Sequence, residues 1–303
     1  MPETPYHIPV LLRESIDGLN INGDGVYLDL TFGGGGHSKE ILKIMSPKSH
    51  LLGFDQDEDT QANIPNDKRF TWVNHNFKYL QHFTRYCGHN GVDGILADLG
   101  VSSHEFDEAE RGFSFRFDAE LDMRMSRKKS LTAAIILNEY DEDKLLFIFR
   151  NYGEIDNAKR LVNLIVKSRH EKPIIRSEEF INIIQPCIPK MKEKKYLAKV
   201  YQALRIEVNG ELDVLQDMLK QAMTILNPGG RLVIITYHSL EDRIVKNFFK
   251  AGNIDGKVIK DPVFGKEIRA FDLINRKVIT PRDEEIERNP RARSAKLRIA
   301  VKN

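Results

Sequence analysis

Residues 26–38 read VYLDLTFGGGGHS, a short apolar run with one aspartate, then four consecutive glycines, then His37 and Ser38. An apolar strand, a glycine-rich loop and a helix in succession are typical of the carboxyl edge of a parallel sheet. Helix N–H groups point toward bound ligands there. Glycine leaves room for a ligand close to the backbone. This stretch therefore predicts a nucleotide-type site at the end of the first strand.

Strand-like and helix-like segments alternate through the first hundred residues, which is typical of an α/β domain. The patterns predict helices at 10–19 and 37–45 and strands at 26–30, 50–55, 69–75 and 92–100. A polar loop and a long, mostly helical stretch follow, and strand character returns at 231–237 after an NPGG turn. We predict a mostly parallel α/β sheet formed by 1–103 and 223–303, with an inserted, mostly helical, substrate-recognition domain at 104–222.

Charge is distributed unevenly along the chain. Residues 1–110 hold 17 acidic and 8 basic side chains, whereas residues 157–200 hold 11 basic and 4 acidic ones. Residues 288–303 carry six basic side chains and no acidic one. Basic surfaces of this kind indicate a polyanionic partner such as RNA, and the alternative is that they are solvated helix faces.

Several classes of protein are not indicated by the sequence. The two cysteines, Cys87 and Cys187, have neither the spacing of a disulfide framework nor that of a zinc site, so we expect no metal. No apolar run approaches the roughly 20 residues of a membrane helix, and the N-terminus lacks the order of a signal peptide. We expect a cytoplasmic protein with no membrane partner, and the sequence leaves its oligomeric state open.

The spacing of acidic residues bears on the ligand. Asp55 ends the strand that follows the glycine loop, where a carboxylate commonly binds both hydroxyls of a ribose. The dinucleotide pattern GxGxxG fails because Ser38 replaces its third glycine, and the P-loop pattern is absent. Asp29 suits a cationic ligand better than a pyrophosphate, which favours S-adenosylmethionine. Alternatively, Asp29 caps the loop by accepting backbone N–H groups.

Six segments together resemble the bacterial ribosomal RNA small-subunit methyltransferase H family, also called RsmH or MraW. They occur in the family's order and spacing from about residue 7 to 301: LDLTFGGGGHS, DGILADLGVSS, ERGFSF, LDMRM, HSLEDRIVKNF and NPRARSAKLRIA. The resemblance implies a class I S-adenosylmethionine-dependent methyltransferase. It also implies that the substrate is the N4 amine of a cytidine in the decoding centre of 16S rRNA, within the 30S subunit.

The resemblance also assigns cofactor contacts by position. These fall on Gly35, Gly36, His37, Asp55, Phe77, Asp98 and Glu105. Glu105 stands where the family usually has glutamine, and a carboxylate cannot donate the hydrogen bond that an amide can. For Phe77 the alternative is a core phenylalanine, and for Asp98 it is a turn-capping carboxylate.

An exocyclic amine can attack a methyl group directly, whereas methylation at cytosine C5 needs a cysteine nucleophile. Direct attack requires an acceptor that holds the amine and takes its proton. We predict Asp98 as this acceptor, with Ser102 as a helper and His238 as a proton acceptor. The alternative for Ser102 is a loop role, and for His238 a place in a helix start that Ser239 caps.

RNA contacts are predicted at Arg111 and Arg205, and in the C-terminal tail at Arg291 and Arg293. The alternation in KLRIAV predicts a short strand with Lys296 and Arg298 on one face. Alternatively, the tail arginines pair with acidic residues of the first half.

Two rival functions remain: an RNA-binding ribosome assembly factor with a vestigial pocket, and an NAD-dependent oxidoreductase.

Overall fold

The computed structural model describes residues 9–101, 106, 108–262 and 264–303. It forms two compact units, which we call the sheet unit (Met1–Gly100 and Leu212–Asn303) and the helical unit (Val101–Glu211). The predicted second boundary, at residue 222, is wrong. Leu215 and Met218 pack in a core cluster with Leu28 of the first strand, so residues 212–222 belong to the sheet unit.

The strands of the described residues are β1 (Val26–Asp29), β2 (His50–Phe54), β3 (Phe70–Val73), β4 (Val92–Asp98), β5 (Leu226–Thr236), β6 (Ile259–Lys260), β7 (Glu267–Ile268), β8 (Phe271–Leu273) and β9 (Lys296–Lys302). Seven form one sheet in the order β3-β2-β1-β4-β5-β9-β8, and β6 pairs with β7. The pairs from β3 to β5 are parallel, whereas β9 is antiparallel to β5 and β8. The predicted mostly parallel α/β sheet is confirmed.

The helices of the described residues are α1 (Leu12–Leu19), α2 (Gly36–Ile44), α3 (Leu80–Tyr86), α4 (Ala133–Glu139), α5 (Glu142–Asn151), α6 (Ala158–Glu171), α7 (Ser177–Ile184), α8 (Glu193–Asn209), α9 (Glu211–Ile225), α10 (Ser239–Ala251) and α11 (Asp283–Arg288). Within the part of the chain that the structure describes, no helix combines the length and apolar character needed to cross a membrane.

Both faces of the central strands are covered, which explains why these strands read as continuous apolar runs. Neighbouring residues point to opposite faces: Tyr27 packs in one core cluster and Leu28 in the other. The same alternation holds for Leu51 and Leu52 of β2. Within the described residues the sheet is therefore the middle of three layers, and a ligand can reach its central strands at the strand ends.

The helical unit has its own hydrophobic core. Leu145, Ile148 and Phe149 of α5 are buried in it, at the spacing of three and four residues that predicts one apolar helix face. Leu161 and Ile165 of α6 are buried in the same core, at the same kind of spacing. Both helices lie in the stretch that the sequence predicts to be mostly helical.

The motifs ERGFSF and LDMRM form a tightly constrained loop in the helical unit. Gly112 has a φ of +68°, and a Cβ there would lie 2.2 Å from the carbonyl oxygen of Glu120. Met123 is fully buried with a φ of +62°, and its carbonyl accepts a 2.8 Å hydrogen bond from Asn209 Nδ2. The same Asn209 side chain accepts a hydrogen bond from the N–H of Met125 at 2.9 Å. Packing and hydrogen bonds therefore hold a backbone conformation that local preferences disfavour.

We expect Gly112→Ala to destabilise the protein by about 3 kcal/mol or more, since the left-handed conformation costs an L-residue ~1–2 kcal/mol and overpacking adds ~1–3. Gly210→Ala is the matched control, because Gly210 has a φ of +64° but no atom within 4 Å of an added Cβ. The control should lose only the conformational part. The measurement is chemical denaturation of both variants, and equal losses would contradict the steric account.

Candidate active site

Three aspartates end neighbouring strands at the carboxyl edge of the sheet. Asp29 ends β1, Asp98 ends β4, and Asp55 directly follows β2. Because β1 lies between β2 and β4, the three side chains share one crevice. Like charges in a dry site raise one another's pKa, so this edge favours a ligand that carries positive charge.

Asp29 anchors the glycine loop. Its carboxylate is 1% exposed and accepts hydrogen bonds from Ser38 Oγ at 2.6 Å and from the N–H of Thr31 at 3.2 Å. Burial raises the pKa of Asp29, and these hydrogen bonds oppose the rise. The structure therefore supports the loop-capping role for Asp29, and its charge still acts on the crevice.

Asp55 lies beside the loop with part of its surface accessible. Its Oδ2 accepts a hydrogen bond from the N–H of Gly33 at 2.8 Å, and its Oδ1 accepts one from the N–H of Asp57 at 2.9 Å. Burial raises the pKa of Asp55 to about 7, despite the two N–H donors. Each carboxylate oxygen can accept one further hydrogen bond, which suits the two hydroxyls of a ribose.

The other predicted loop residues have different roles. Gly35 has a φ of +72° and caps α2, so the backbone itself requires glycine. A Cβ on Gly36 would lie 2.2 Å from Pro9 Cγ, so packing explains this glycine. The His37 imidazole is 6% exposed and its Nε2 is 3.2 Å from the carbonyl oxygen of Val10. Burial lowers the pKa of His37 to about 4, so its ring is neutral and packed inside, leaving only its backbone N–H for a ligand.

Asp98 is held from two sides. Its N–H donates to Thr31 Oγ1 at 2.7 Å, and its Oδ1 accepts a 2.7 Å hydrogen bond from the hydroxyl of Tyr237. Burial is the main cause that raises the pKa of Asp98 to about 7, and the negative charges of Asp29 and Glu241 add to it. A half-buried carboxyl group that titrates near neutrality suits a proton acceptor.

Phe77 lies in a short 3₁₀ turn after β3, at the same edge of the sheet. It is half-buried and packs against the sheet unit's core, so part of its ring remains accessible. Ser102 and Glu105, predicted as catalytic helper and cofactor contact, lie outside the described residues, as does His104 beside them.

His238 is the N-cap of α10, and Ser239 is the first helical residue, so the predicted cap at Ser239 is wrong. The Nδ1 atom of His238 accepts a hydrogen bond from the N–H of Glu241 at 3.4 Å. Its Nε2 lies 3.2 Å from Glu241 Oε1. His238 therefore begins α10 in contact with Glu241, and the proton-acceptor role predicted for it stays a prediction.

Two of the four predicted RNA-binding arginines are held by hydrogen bonds within the helical unit, Arg111 fully and Arg205 partly buried, which argues against that role. Arg111 is 4% exposed and donates to the carbonyl oxygens of Arg124 and Met125 at 3.1 and 3.2 Å. Arg205 forms a bidentate pair with Glu211 at 2.8 and 2.9 Å, and its side chain is 13% exposed. A sequence motif shows the residue type but not which way the side chain points.

The two arginines predicted to bind RNA in the C-terminal tail differ from Arg111 and Arg205 in their exposure to solvent. Arg291 and Arg293 are exposed on a 3₁₀ turn that leads into β9. The predicted alternation in β9 is confirmed, with Leu297 buried and Arg298 on the other face. Arg298 pairs with Asp242 of α10 at 2.7 Å, which holds the strand to the helix.

Sequence reasoning missed Thr31 and Tyr237, whose side-chain oxygens form hydrogen bonds with Asp98. Thr31 sits inside the glycine-loop motif, and Tyr237 is the last residue of the strand predicted at 231–237. Their positions at strand ends were visible in the sequence, but nothing in it showed which neighbouring strand each would contact.

The described residues fit S-adenosylmethionine. The loop brings backbone N–H groups to the crevice, Asp55 offers acceptors for a ribose, and buried acidic groups favour the ligand's positive charges. A phosphate-bearing ligand would meet repulsion from the same carboxylates.

Comparison with known proteins agrees with this fit. The model of the MraW methylase family matches residues 4–303. Ribosomal RNA small subunit methyltransferase H of Phocaeicola vulgatus is 58% identical over 98% of this chain and 97% of its own length. The protein of the same name from Flavobacterium johnsoniae is 54% identical over 98% of both chains. A solved rRNA methylase from Streptococcus thermophilus is 12% identical over 98% of both chains, with a TM-score of 0.43, a likeness too weak to add to the assignment. The chain belongs to the MraW methylase family of S-adenosylmethionine-dependent methyltransferases, and its fold is the mostly parallel α/β sheet described above.

Proposed function

We propose that this protein methylates the N4 amine of a cytidine in the decoding centre of 16S rRNA, by direct attack and without a covalent enzyme intermediate. The observation that carries the proposal is the Asp98 carboxyl group, half-buried beside the glycine loop with its pKa raised to about 7. The printed name of the relatives, ribosomal RNA small subunit methyltransferase H, supports a small-subunit rRNA substrate.

The raised thiol pKa values and the positions of Cys87 and Cys187 support attack by an amine rather than by a cysteine thiolate. Burial raises the pKa of the Cys87 and Cys187 thiols, which disfavours the thiolate that C5 methylation requires. Cys87 caps the end of α3 just before β4 begins, so it lies toward the amino edge of the sheet, away from Asp98. Cys187 is buried in the helical unit.

In the proposed reaction, S-adenosylmethionine supplies an electrophilic methyl group on a positively charged sulfur. The amine nitrogen uses its lone pair to form the new bond to carbon as the carbon–sulfur bond breaks, and the electron pair of that bond stays on sulfur. Positive charge then appears on the amine, and the Asp98 carboxylate accepts one of its protons. A negative acceptor preplaced in a dry site stabilises this developing charge.

The cofactor contacts in this proposal come from the sheet unit. Gly35, Gly36 and His37 contribute backbone, Asp55 accepts the ribose hydroxyls, and Phe77 lies against the adenine. Glu105 remains a proposed cofactor contact that rests on the family resemblance, and Ser102 remains a proposed helper of Asp98.

The helical unit is proposed to recognise the RNA. Its α6–α8 region exposes a group of basic side chains: Lys159, Arg160, Lys167, Lys190, Lys192, Lys194 and Lys195. Lysine and arginine attract the phosphate backbone without reading sequence, so this surface suits a folded RNA. Because the chain belongs to a methyltransferase family, an NAD-dependent oxidoreductase is no longer an alternative. The RNA-binding assembly factor with a vestigial pocket remains as the rival function.

We expect purified protein and S-adenosylmethionine to add one methyl group to N4 of a decoding-region cytidine in 30S subunits from cells that lack this gene. Asp98→Asn should lower kcat by ~10²–10⁴-fold, the usual contribution of a general base. Asp93→Asn is the control, because Asp93 accepts the N–H of Val26 near the start of β1, away from the carboxyl edge. Mass spectrometry of the rRNA is the measurement. A methyl group at C5 would contradict direct amine attack, and RNA binding without any transfer would favour the assembly factor.

Asp55→Asn should weaken S-adenosylmethionine binding by about 1.5–3 kcal/mol, the contribution of a hydrogen bond to a charged group. Asp93→Asn again serves as control, since its carboxylate also accepts a backbone N–H in the same sheet. Calorimetric titration gives the affinities, and a thermal melt checks folding. An unchanged dissociation constant for a folded Asp55→Asn would remove Asp55 from the ribose site.

The double variant Arg291→Ala/Arg293→Ala should weaken RNA binding and lower the salt slope by up to about one unit for each lost phosphate contact. Cofactor affinity should stay the same. The control is Arg13→Ala/Lys43→Ala, which removes two exposed positive charges from the acidic half. Filter binding of decoding-region RNA across a salt series measures the slope. A lower melting temperature with an unaltered slope would show that the tail arginines are structural.

A further inference from the structure

Tyr237 is placed to act on the candidate proton acceptor. It follows β5 directly, and β5 is the parallel neighbour of β4, which ends at Asp98. The hydroxyl of Tyr237 donates a 2.7 Å hydrogen bond to Asp98 Oδ1. A Cβ on Gly100 would lie 3.4 Å from Cδ2 of the tyrosine ring, so the ring packs directly on the backbone that follows Asp98. Both residues belong to the sheet unit.

The turn that carries Tyr237 is itself held in place. Glu241 is 3% exposed, and its Oε2 accepts hydrogen bonds from the N–H of Tyr237 at 3.0 Å and of His238 at 3.4 Å. This capping box fixes the passage from β5 into α10. The phenol hydroxyl is therefore presented to Asp98 by a rigid backbone rather than by a mobile loop.

The groups that face Asp98 otherwise oppose its ionisation. Burial is the main cause that raises the pKa of Asp98, the hydrogen bond from Tyr237 lowers it, and the carboxylates of Asp29 and Glu241 raise it further. Burial raises the pKa of Tyr237 well above its usual range, and the charges of Asp98, Glu241 and Glu285 raise it further. Tyr237 thus keeps its proton and remains a donor at any pH near neutrality.

We propose that Tyr237 is a positioning residue, whose hydroxyl orients the Asp98 carboxylate and favours its charged form. One carboxylate oxygen is held by the phenol, which leaves the other to accept a hydrogen bond from the amine. Asp98 can then take the amine proton at neutral pH in spite of its acidic neighbours. This inference rests on the proposed role of Asp98 in methyl transfer.

The alternative is that Tyr237 only fills space between β5 and Gly100. The two accounts differ in pH dependence, because a purely packing ring has no effect on when Asp98 titrates. Protonated Asp98 can neither take up the amine proton nor offset the positive charge of a ligand. Cofactor affinity and turnover should therefore fall as the pH falls through the range in which Asp98 gains its proton.

The test is the pH dependence of S-adenosylhomocysteine and S-adenosylmethionine binding from pH 5.5 to about 9, measured by calorimetry for the wild type, Tyr237→Phe and Tyr27→Phe. Tyr237→Phe removes a hydrogen bond to the charged form of Asp98. The pH at which cofactor affinity falls should therefore rise by about one unit in this variant, while its affinity at high pH should stay the same. Tyr27→Phe is the matched control, since Tyr27 is a buried tyrosine of β1 whose hydroxyl accepts the N–H of Asn22. Its profile should follow the wild type.

The proposal would be overturned if the affinity of Tyr237→Phe fell at the same pH as that of the wild type, or if it were lower by the same factor at every pH. Asp98→Asn provides a second measurement that does not depend on the folding of Tyr237→Phe. This variant should lose the part of the fall in affinity at low pH that Asp98 causes. If the fall were unchanged, another group would be titrating, and Tyr237 would not control the ionisation of Asp98.

The same variants measured for kcat with 30S subunits extend the test to turnover. If the wild type transfers no methyl group to rRNA, the proposed function fails, and the binding profiles still decide whether Tyr237 controls the ionisation of Asp98.

Discussion

Desolvated negative charge at the carboxyl edge of the sheet is the constraint on which the site depends. Asp29, Asp55 and Asp98 stand on or directly after three neighbouring strands, and each would be costly to bury without hydrogen bonds. Backbone N–H groups and hydroxyls supply those bonds, yet burial still raises the pKa of Asp55 and Asp98 to about 7. A positively charged methyl donor relieves this repulsion, so the charge of this edge is complementary to such a ligand.

The hydrogen bonds that satisfy these acids also build the loop. Asp29 holds Ser38 in the first turn of α2 and Thr31 after β1, and Thr31 in turn accepts the N–H of Asp98. Asp55 holds the N–H of Gly33. Loop shape and site charge are thus properties of one network. A change at any of its members is expected to alter ligand binding and local stability together.

Several site residues could be predicted because they follow from position along a strand. Asp55 and Asp98 were predicted at strand ends, and both lie there. The roles of Arg111 and His37 could not be predicted in this way. Burial and hydrogen-bond partners decide them, and those depend on segments far away in the sequence: Arg111 bonds to carbonyls 13 and 14 residues on, and His37 bonds to Val10. A motif identifies the residue type without its environment.

The layered α/β sheet, the glycine loop at the end of β1 and the family could all be predicted from the sequence, because apolar periodicity and motif spacing are local properties of the chain. The folded structure was needed to show that α9 packs with the sheet, that Arg111 is buried and Arg205 pairs with Glu211, and that Tyr237 donates to Asp98. The Tyr237–Asp98 contact joins residues 139 positions apart through the pairing of β4 with β5. Such contacts arise from strand order and register, which a single sequence does not state.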